Sequence, residues 1–182
     1  MIVKAINEVI LVNEKDQELG TMEKLEVHQK GLLHRAFSVF VFNDKNELLL
    51  QQRALNKYHS GGLWTNTCCS HPMPGENVVV AAKRRMVEEM GMNTSPRPLF
   101  SFIYKAELEN NLIEHELDHV LIAYSNDQPQ LSPEEATEFK WMPIDLIRQD
   151  MEVNPTKYTA WFKIILKEYI NEFTKIRTHE SL

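Results

Sequence analysis

Cys69 and His71 stand two residues apart in a stretch rich in glycine and proline, and Glu114 and Glu116 stand two apart in a stretch that alternates like a strand. A thiolate is nucleophilic and basic, and a nearby cation lowers the thiol pKa. Carboxylates two apart on a strand leave the same face, so Glu114 and Glu116 can reach one ion. His28 and His34 lie upstream, in or beside a loop, and with His71 they supply three imidazoles. Imidazoles mixed with carboxylates suit zinc, manganese or iron, whereas all-oxygen sets suit magnesium. Three imidazoles and two carboxylates fill most of an octahedral shell. Yet the chain has seven histidines, and Glu-His-Glu is also the ordinary look of a solvated strand face. Cys69 has plain readings too, as a buried inert thiol or a zinc ligand. The zinc reading lacks the C-x-x-C spacing that structural sites use.

A second group of candidates carries charge. Arg84 with Glu88 and Arg85 with Glu89 are i,i+4 pairs on a helical stretch. Alone, they describe a salt-bridged exposed face. Lys24, Arg53 and Lys57 fall in polar or turn-like surroundings, with Arg53 and Lys57 four apart at the end of a strand. Arginine binds phosphate oxygens as a fork and lysine as a point charge. Clustered around one metal, such cations make a local sink for a diphosphate. Scattered, they are ordinary surface charge.

These residues need elements to hold them. Residues 8–12 read as a strand with a turn at 13–17. Residues 37–42, aromatic and β-branched, read as a buried strand, and 48–52 as its return after the turn at 43–46. The segment from Tyr58 to Gly75 reads as a long loop, the kind that often carries function. Residues 77–90 read as a helix that Gly91 stops. Strands are expected at 99–106 and 114–124, a turn or helix start at 132–135, a last strand at 138–141, and helices at 143–149 and 159–176. Trp161, Phe162, Ile165, Tyr169 and Phe173 share a broad apolar face of the last helix. Strands mostly in hairpins, mixed with helices, point to an α+β or α/β/α sandwich.

The chain as a whole sets bounds. Its 182 residues fit one domain, and 43% hydrophobic with 25% charged is a globular composition. A net charge of −6 argues against a general nucleic-acid binder. The two cysteines are adjacent, which disfavours a disulfide between them and fits a reducing compartment. No run approaches the ~20 apolar residues that span a bilayer, so the expectation is a cytoplasmic protein without a membrane partner.

The string Trp64-Thr65-Asn66-Thr67-Cys68-Cys69-Ser70-His71-Pro72 resembles the W-T-N-x-x-C-x-H-P segment of the type 1 isopentenyl-diphosphate isomerases. Gln52-Arg53-Ala54-Leu55-Asn56-Lys57 resembles that family's R-A-x-x-K segment, and Glu114-His115-Glu116 its E-x-E. Ser70, Glu76, Arg84, Glu88, Glu89 and Gly91 also fall at the spacing of the Nudix box. Two positions depart from that box: Ser70 stands where it begins with Gly, and Arg85 where it has a Glu. The likeness runs from about residue 5 to about residue 170. It implies a Nudix-like α/β/α sandwich with a mixed sheet and N-terminal additions, a single isomerase domain over 1–182; the charged ending Arg-Thr-His-Glu separately reads 176–182 as a disordered tail. It implies one divalent metal, manganese or zinc, on His28, His34, His71, Glu114 and Glu116. A magnesium would arrive with the diphosphate and be held in part by Glu89. Lys24, Arg53, Lys57 and Arg85 would bind phosphate oxygens, and Trp161 would stack near a cation-like centre. Cys69 and Glu116 would be an acid–base pair on opposite faces of the substrate, with Tyr104 beside Glu116. The partner implied is a small diphosphate ester, and the protein a monomer or weak dimer. A Nudix-type diphosphate hydrolase and a non-catalytic diphosphate-binding regulator are the competing readings; Arg85 in place of the box glutamate weighs against the first.

Overall fold

The computed structural model describes residues 7–179. The chain opens with β1 (Glu8–Val12) and β2 (Glu18–Glu23), an antiparallel hairpin. Its turn is set by Asn13, whose Oδ1 accepts from the backbone of Lys15 and Gln17 at 2.9 and 3.0 Å. Helix α1 (Lys24–Lys30) follows, with Glu23 capping the Glu26 N–H and Gly31 ending it in the left-handed region. Then come β3 (His34–Phe42), β4 (Glu47–Arg53), and two short strands, β5 (Trp64–Thr65) and β6 (Cys68–Ser70). Helix α2 (Val78–Met90) starts on an Asn77 side-chain cap and stops at Gly91, φ 62°. Strands β7 (Arg97–Glu107), β8 (Ile113–Tyr124) and β9 (Ala136–Pro143) lead to α3 (Ile144–Val153), α4 (Ala160–Glu168) and α5 (Ile170–His179).

β3 is the spine of the sheet. One edge pairs in parallel with β8 from His34↔Glu116 to Phe42↔Tyr124. The other edge is shared by three antiparallel partners: β1 at His34, β6 at 37–39 and β4 at Phe42. β7 lies outside β8, and β9 outside β4. The sheet is therefore mixed, parallel along one edge of β3 and antiparallel along the other.

Alternation along β3 separates the two larger cores, and a smaller one gathers Ile10, Val12 and Leu117. Phe37, Val39 and Val41 point to one face, where they meet Cys68, Ala81, Ala82, Met86 and Met90 beneath α2. Phe40 and Phe42 point to the other, against Tyr104, Trp161, Phe162 and Ile165. Each fully buried Phe contributes about 1.5–3 kcal/mol, so a one-residue slip of β3 would exchange the two cores at a prohibitive cost.

Several expectations change here. His28 lies on a helix, not in or beside a loop, because the stretch 24–30 is capped at both ends. The long loop contains β5 and β6, which pair with β4 and β3. The central pairing β3–β8 is parallel rather than a hairpin. The expected helix 159–176 is two helices broken at Tyr169, whose ring stacks on Phe100 at 5.1 Å and meets Phe102 at 4.7 Å. Of the expected tail, 176–179 continue α5 and 180–182 lie outside the described residues.

Candidate active site and metal centre

Register brings the site together. Cys69 sits opposite Ser38 on one edge of β3, and Glu116 sits opposite His34 on the other. His34 and Ser38 share a sheet face by parity, so Cys69 and Glu116 project to the same side. Cys68, opposite Val39, goes to the core beneath α2. One cavity is lined by Lys24, Arg53, His59, Cys69, His71, Glu114, Glu116 and Trp161. A cleft beside it is lined by Lys24, Lys57, Ser70, His71, Arg84, Arg85 and Glu135.

The imidazoles are arranged as donors to an ion. His28 Nδ1 lies 2.7 Å from the Lys24 carbonyl, and His34 Nδ1 lies 2.9 Å from the Leu32 carbonyl. A carbonyl only accepts, so each Nδ1 carries the proton and each Nε2 presents a lone pair. Those lone pairs, with His71 Nε2 and a Glu116 oxygen, lie within 4.8 Å of one another. Glu114 Oε2 is buried without a hydrogen bond, yet lies 3.2 Å from His28 Nε2. Two lone-pair atoms held face to face in a dry site are what a cation relieves. The residues present thus fit a divalent metal, and their nitrogen and oxygen donors suit manganese, zinc or iron. Burial holds His28 below the usual imidazole range and pushes His71 down to about 3, so both are neutral and able to ligate.

Glu114 and Glu116 are 3% and 7% exposed and differ sharply. Burial, then the neighbouring Glu116 charge, raises the Glu114 carboxyl well above its ordinary value. Burial pushes Glu116 the same way, but the His34 and His71 imidazoles beside it outweigh burial and hold its carboxyl well below the ordinary value. Tyr104 donates its hydroxyl to Glu116 Oε2 at 2.6 Å, and His71 Nε2 lies 2.9 Å from Oε1. Burial, with Glu116 beside it, lifts the Tyr104 phenol well above its usual range. Burial also pushes the Cys69 thiol up to about 12, although Arg53 opposes this. The resting site therefore holds a protonated thiol on one flank and an ionised carboxylate bonded to a phenol on the other.

The cations divide into an inner and an outer pair. Lys24 heads α1 and faces the cavity, where burial pulls its ammonium down against the opposing charge of Glu114. Arg53 Nε is buried with no hydrogen-bond partner, and its guanidinium carbon lies 5.3 Å from the Trp161 ring centre. Trp161 is fixed by an Nε1–H bond to Asn66 Oδ1 at 3.2 Å. Lys57 and Arg85, by contrast, are engaged with carboxylates. Lys57 pairs with Glu135, and Arg85 pairs with Glu88, Glu89 and Glu135 at 2.7, 2.8 and 3.0 Å. Burial disfavours the Arg85 charge, but Glu89 and Glu135 more than restore it. Glu89 is 4% exposed and also accepts from Gln51 Nε2 at 3.0 Å.

Sequence reasoning missed four members of this neighbourhood. His59 lines the cavity and touches Glu114; Glu135 bridges Lys57 and Arg85; Gln51 holds Glu89; and buried Asp118 accepts from Ser38 Oγ at 2.8 Å. Asp118 alone carried a usable signal, since it continues the alternation of Glu114 and Glu116 on one strand face.

Comparison with known proteins adds three findings. The NUDIX domain family matches residues 32–162. Proteins named isopentenyl-diphosphate Delta-isomerase are similar along nearly the whole chain. That of Pectobacterium atrosepticum is 47% identical over 176 residues, covering 97% of this chain and 98% of its own. That of Serratia proteamaculans is 48% identical over 160 residues, covering 88% and 89%. Among solved structures, DR0079 from Deinococcus radiodurans superposes with a TM-score of 0.73 at 18% identity, covering 89% of this chain and 99% of its own. At that identity it speaks for the fold alone.

Proposed function

The chain belongs to the Nudix family and, within it, to the isopentenyl-diphosphate Delta-isomerases, and we propose that it interconverts isopentenyl and dimethylallyl diphosphate through a proton relay between Cys69 and Glu116. The observation that supports this most is their position: they enter one cavity from strands on opposite edges of β3.

Moving the double bond by one carbon needs a proton added at one carbon and another removed two carbons away. One flank supplies the first and the other accepts the second, so a turnover exchanges their protonation states, and proton exchange with solvent restores them before the next turnover. Tyr104, bonded to Glu116, shares the proton on that flank. Between the two steps the substrate is a tertiary carbocation that water would quench. The indole of Trp161, 4% exposed, faces the cavity and stabilises that charge by cation–π attraction.

Lys24 and Arg53 take the inner phosphate oxygens, and Lys57 and Arg85 the outer ones. Glu89 is the carboxylate that would help hold a magnesium arriving with the diphosphate, where the ion would offset phosphate charge. A manganese or zinc ion held by His28, His34, His71, Glu114 and Glu116 would supply fixed positive charge that favours the ionised forms of its neighbours. The substrate is a small molecule, and no described helix is long and apolar enough to cross a membrane.

Turnover of isopentenyl diphosphate in heavy water, followed by NMR, tests the reading. The expected product is dimethylallyl diphosphate carrying deuterium from solvent in a methyl group. Release of phosphate without isomerisation would instead reveal a hydrolase, and binding without deuterium uptake a regulator.

A further inference from the structure

His59 stands in the strap Tyr58-His59-Ser60-Gly61-Gly62 between β4 and β5. The strap is built to a single conformation. Ser60 and Gly62 lie in the left-handed region at φ 53° and 76°. A Cβ on Gly61 would come within 2.6 Å of the Leu55 carbonyl, so that position has room only for glycine. Arg53 Nη2 donates to the His59 carbonyl at 3.3 Å, and the next backbone N–H, of Ser60, donates to Glu109. The imidazole is 4% exposed. Its ring stacks against His28 at 5.6 Å and meets Trp161 edge-on at 6.1 Å.

Both ring nitrogens have partners. Nδ1 lies 3.2 Å from Ser60 Oγ, and Nε2 lies 3.2 Å from Glu114 Oε1. A hydroxyl can donate to Nδ1, which leaves the proton on Nε2 to be given to the carboxylate. His59 does not belong to the group formed by His28, His34, His71 and Glu116; it forms a separate group with His28 and Glu114. His28 is common to the two groups, and Glu114, which belongs to the second, sets Oε1 at His59 and the unbonded Oε2 at His28.

We propose that His59 is a positioning residue of the metal centre: it anchors Glu114 Oε1 by an Nε2–H hydrogen bond and so turns Oε2 toward the cation. The role rests on reading Glu114 as a ligand. An outer partner of this kind fixes the ligand's orientation before the ion arrives, and its loss typically costs 10- to 100-fold in metal affinity.

His59→Phe keeps a ring against His28 and Trp161 but removes the donor. His59→Gln places an amide nitrogen the same number of bonds from Cβ as Nε2. Metal-free protein is titrated with manganese or zinc against a chromogenic chelator, with melting of each metal-free variant as the check on folding. The expected result is a dissociation constant about 10- to 100-fold weaker for His59→Phe, largely recovered in His59→Gln. Unaltered affinity in His59→Phe overturns the proposal. So does a His59→Gln as weak as His59→Phe with one nitrogen fewer around bound manganese by electron paramagnetic resonance, because His59 would then be a ligand itself. Wild-type protein that binds no ion overturns the ligand reading beneath it, a result distinct from the other two. If His59→Phe does not fold, the affinity and nitrogen count of His59→Gln decide the matter alone.

Discussion

Cys69→Ala is expected to lower turnover by about 10²- to 10⁴-fold, the range that one general acid or base contributes, while substrate affinity and metal content stay at wild-type values. The thiol is the acid that β6 brings to this cavity: Cys68 is turned to the core beneath α2, and Ser70, which also lines the cavity, offers only a hydroxyl. Binding is spared because the phosphate cations come from other elements, Lys24 from α1 and Arg53 from the end of β4. Steady-state rates by NMR, with calorimetric titration of a non-reacting diphosphate, check both halves. A variant that turns over at the wild-type rate removes Cys69 from the relay.

Glu116→Gln is expected to fall further, by at least about 10³-fold, and to lose metal as well. Three contacts converge on this carboxylate: Tyr104 on Oε2, with His71 at 2.9 Å and His34 at 3.5 Å from Oε1. An amide keeps the shape but offers one oxygen instead of two and no negative charge. It can neither accept the substrate proton nor balance a cation among three imidazoles. Excess manganese or zinc should restore occupancy in part and activity hardly at all. Elemental analysis of the purified variant, paired with rates at saturating metal, separates the two losses. Full activity once the metal is replaced would leave Glu116 as a ligand only.

Much of this site is legible before any fold is known. Cys69, His71, Glu114 and Glu116 announce themselves by spacing, because alternation on a strand and a loop rich in glycine are local properties. Asn77 and Gly91 mark the ends of α2 for the same reason, as a side-chain cap and a left-handed stop. The expected strand ends fall within a few residues of the observed ones. What spacing does not carry is the partner across the sheet. The parallel β3–β8 register, which sets His34 beside Glu116, joins residues 82 apart in sequence, from two short apolar runs that could pair in many ways. His59 meets Glu114 for the same tertiary reason, 55 positions away, and its own neighbourhood is a turn without periodicity. The link between Lys57 and Arg85 is hidden because Glu135, the carboxylate that joins them, sits in a segment that looks only like a turn; spacing pairs Arg85 with Glu89 alone. The break at Tyr169 has no proline or glycine to signal it; aromatic packing on Phe100 and Phe102 bends the chain there.

The stereochemistry of one turnover probes the two-flank relay most directly. Isopentenyl diphosphate labelled stereospecifically at C2 and at its terminal methylene would be converted in tritiated water, so that the new methyl group is chiral. A thiol and a carboxylate reaching in from opposite edges of β3 should add the proton to one face of the substrate and take the other from the opposite face. Gain and loss on the same face would mean that a single group moves both protons, and the pairing of Cys69 with Glu116 would fall.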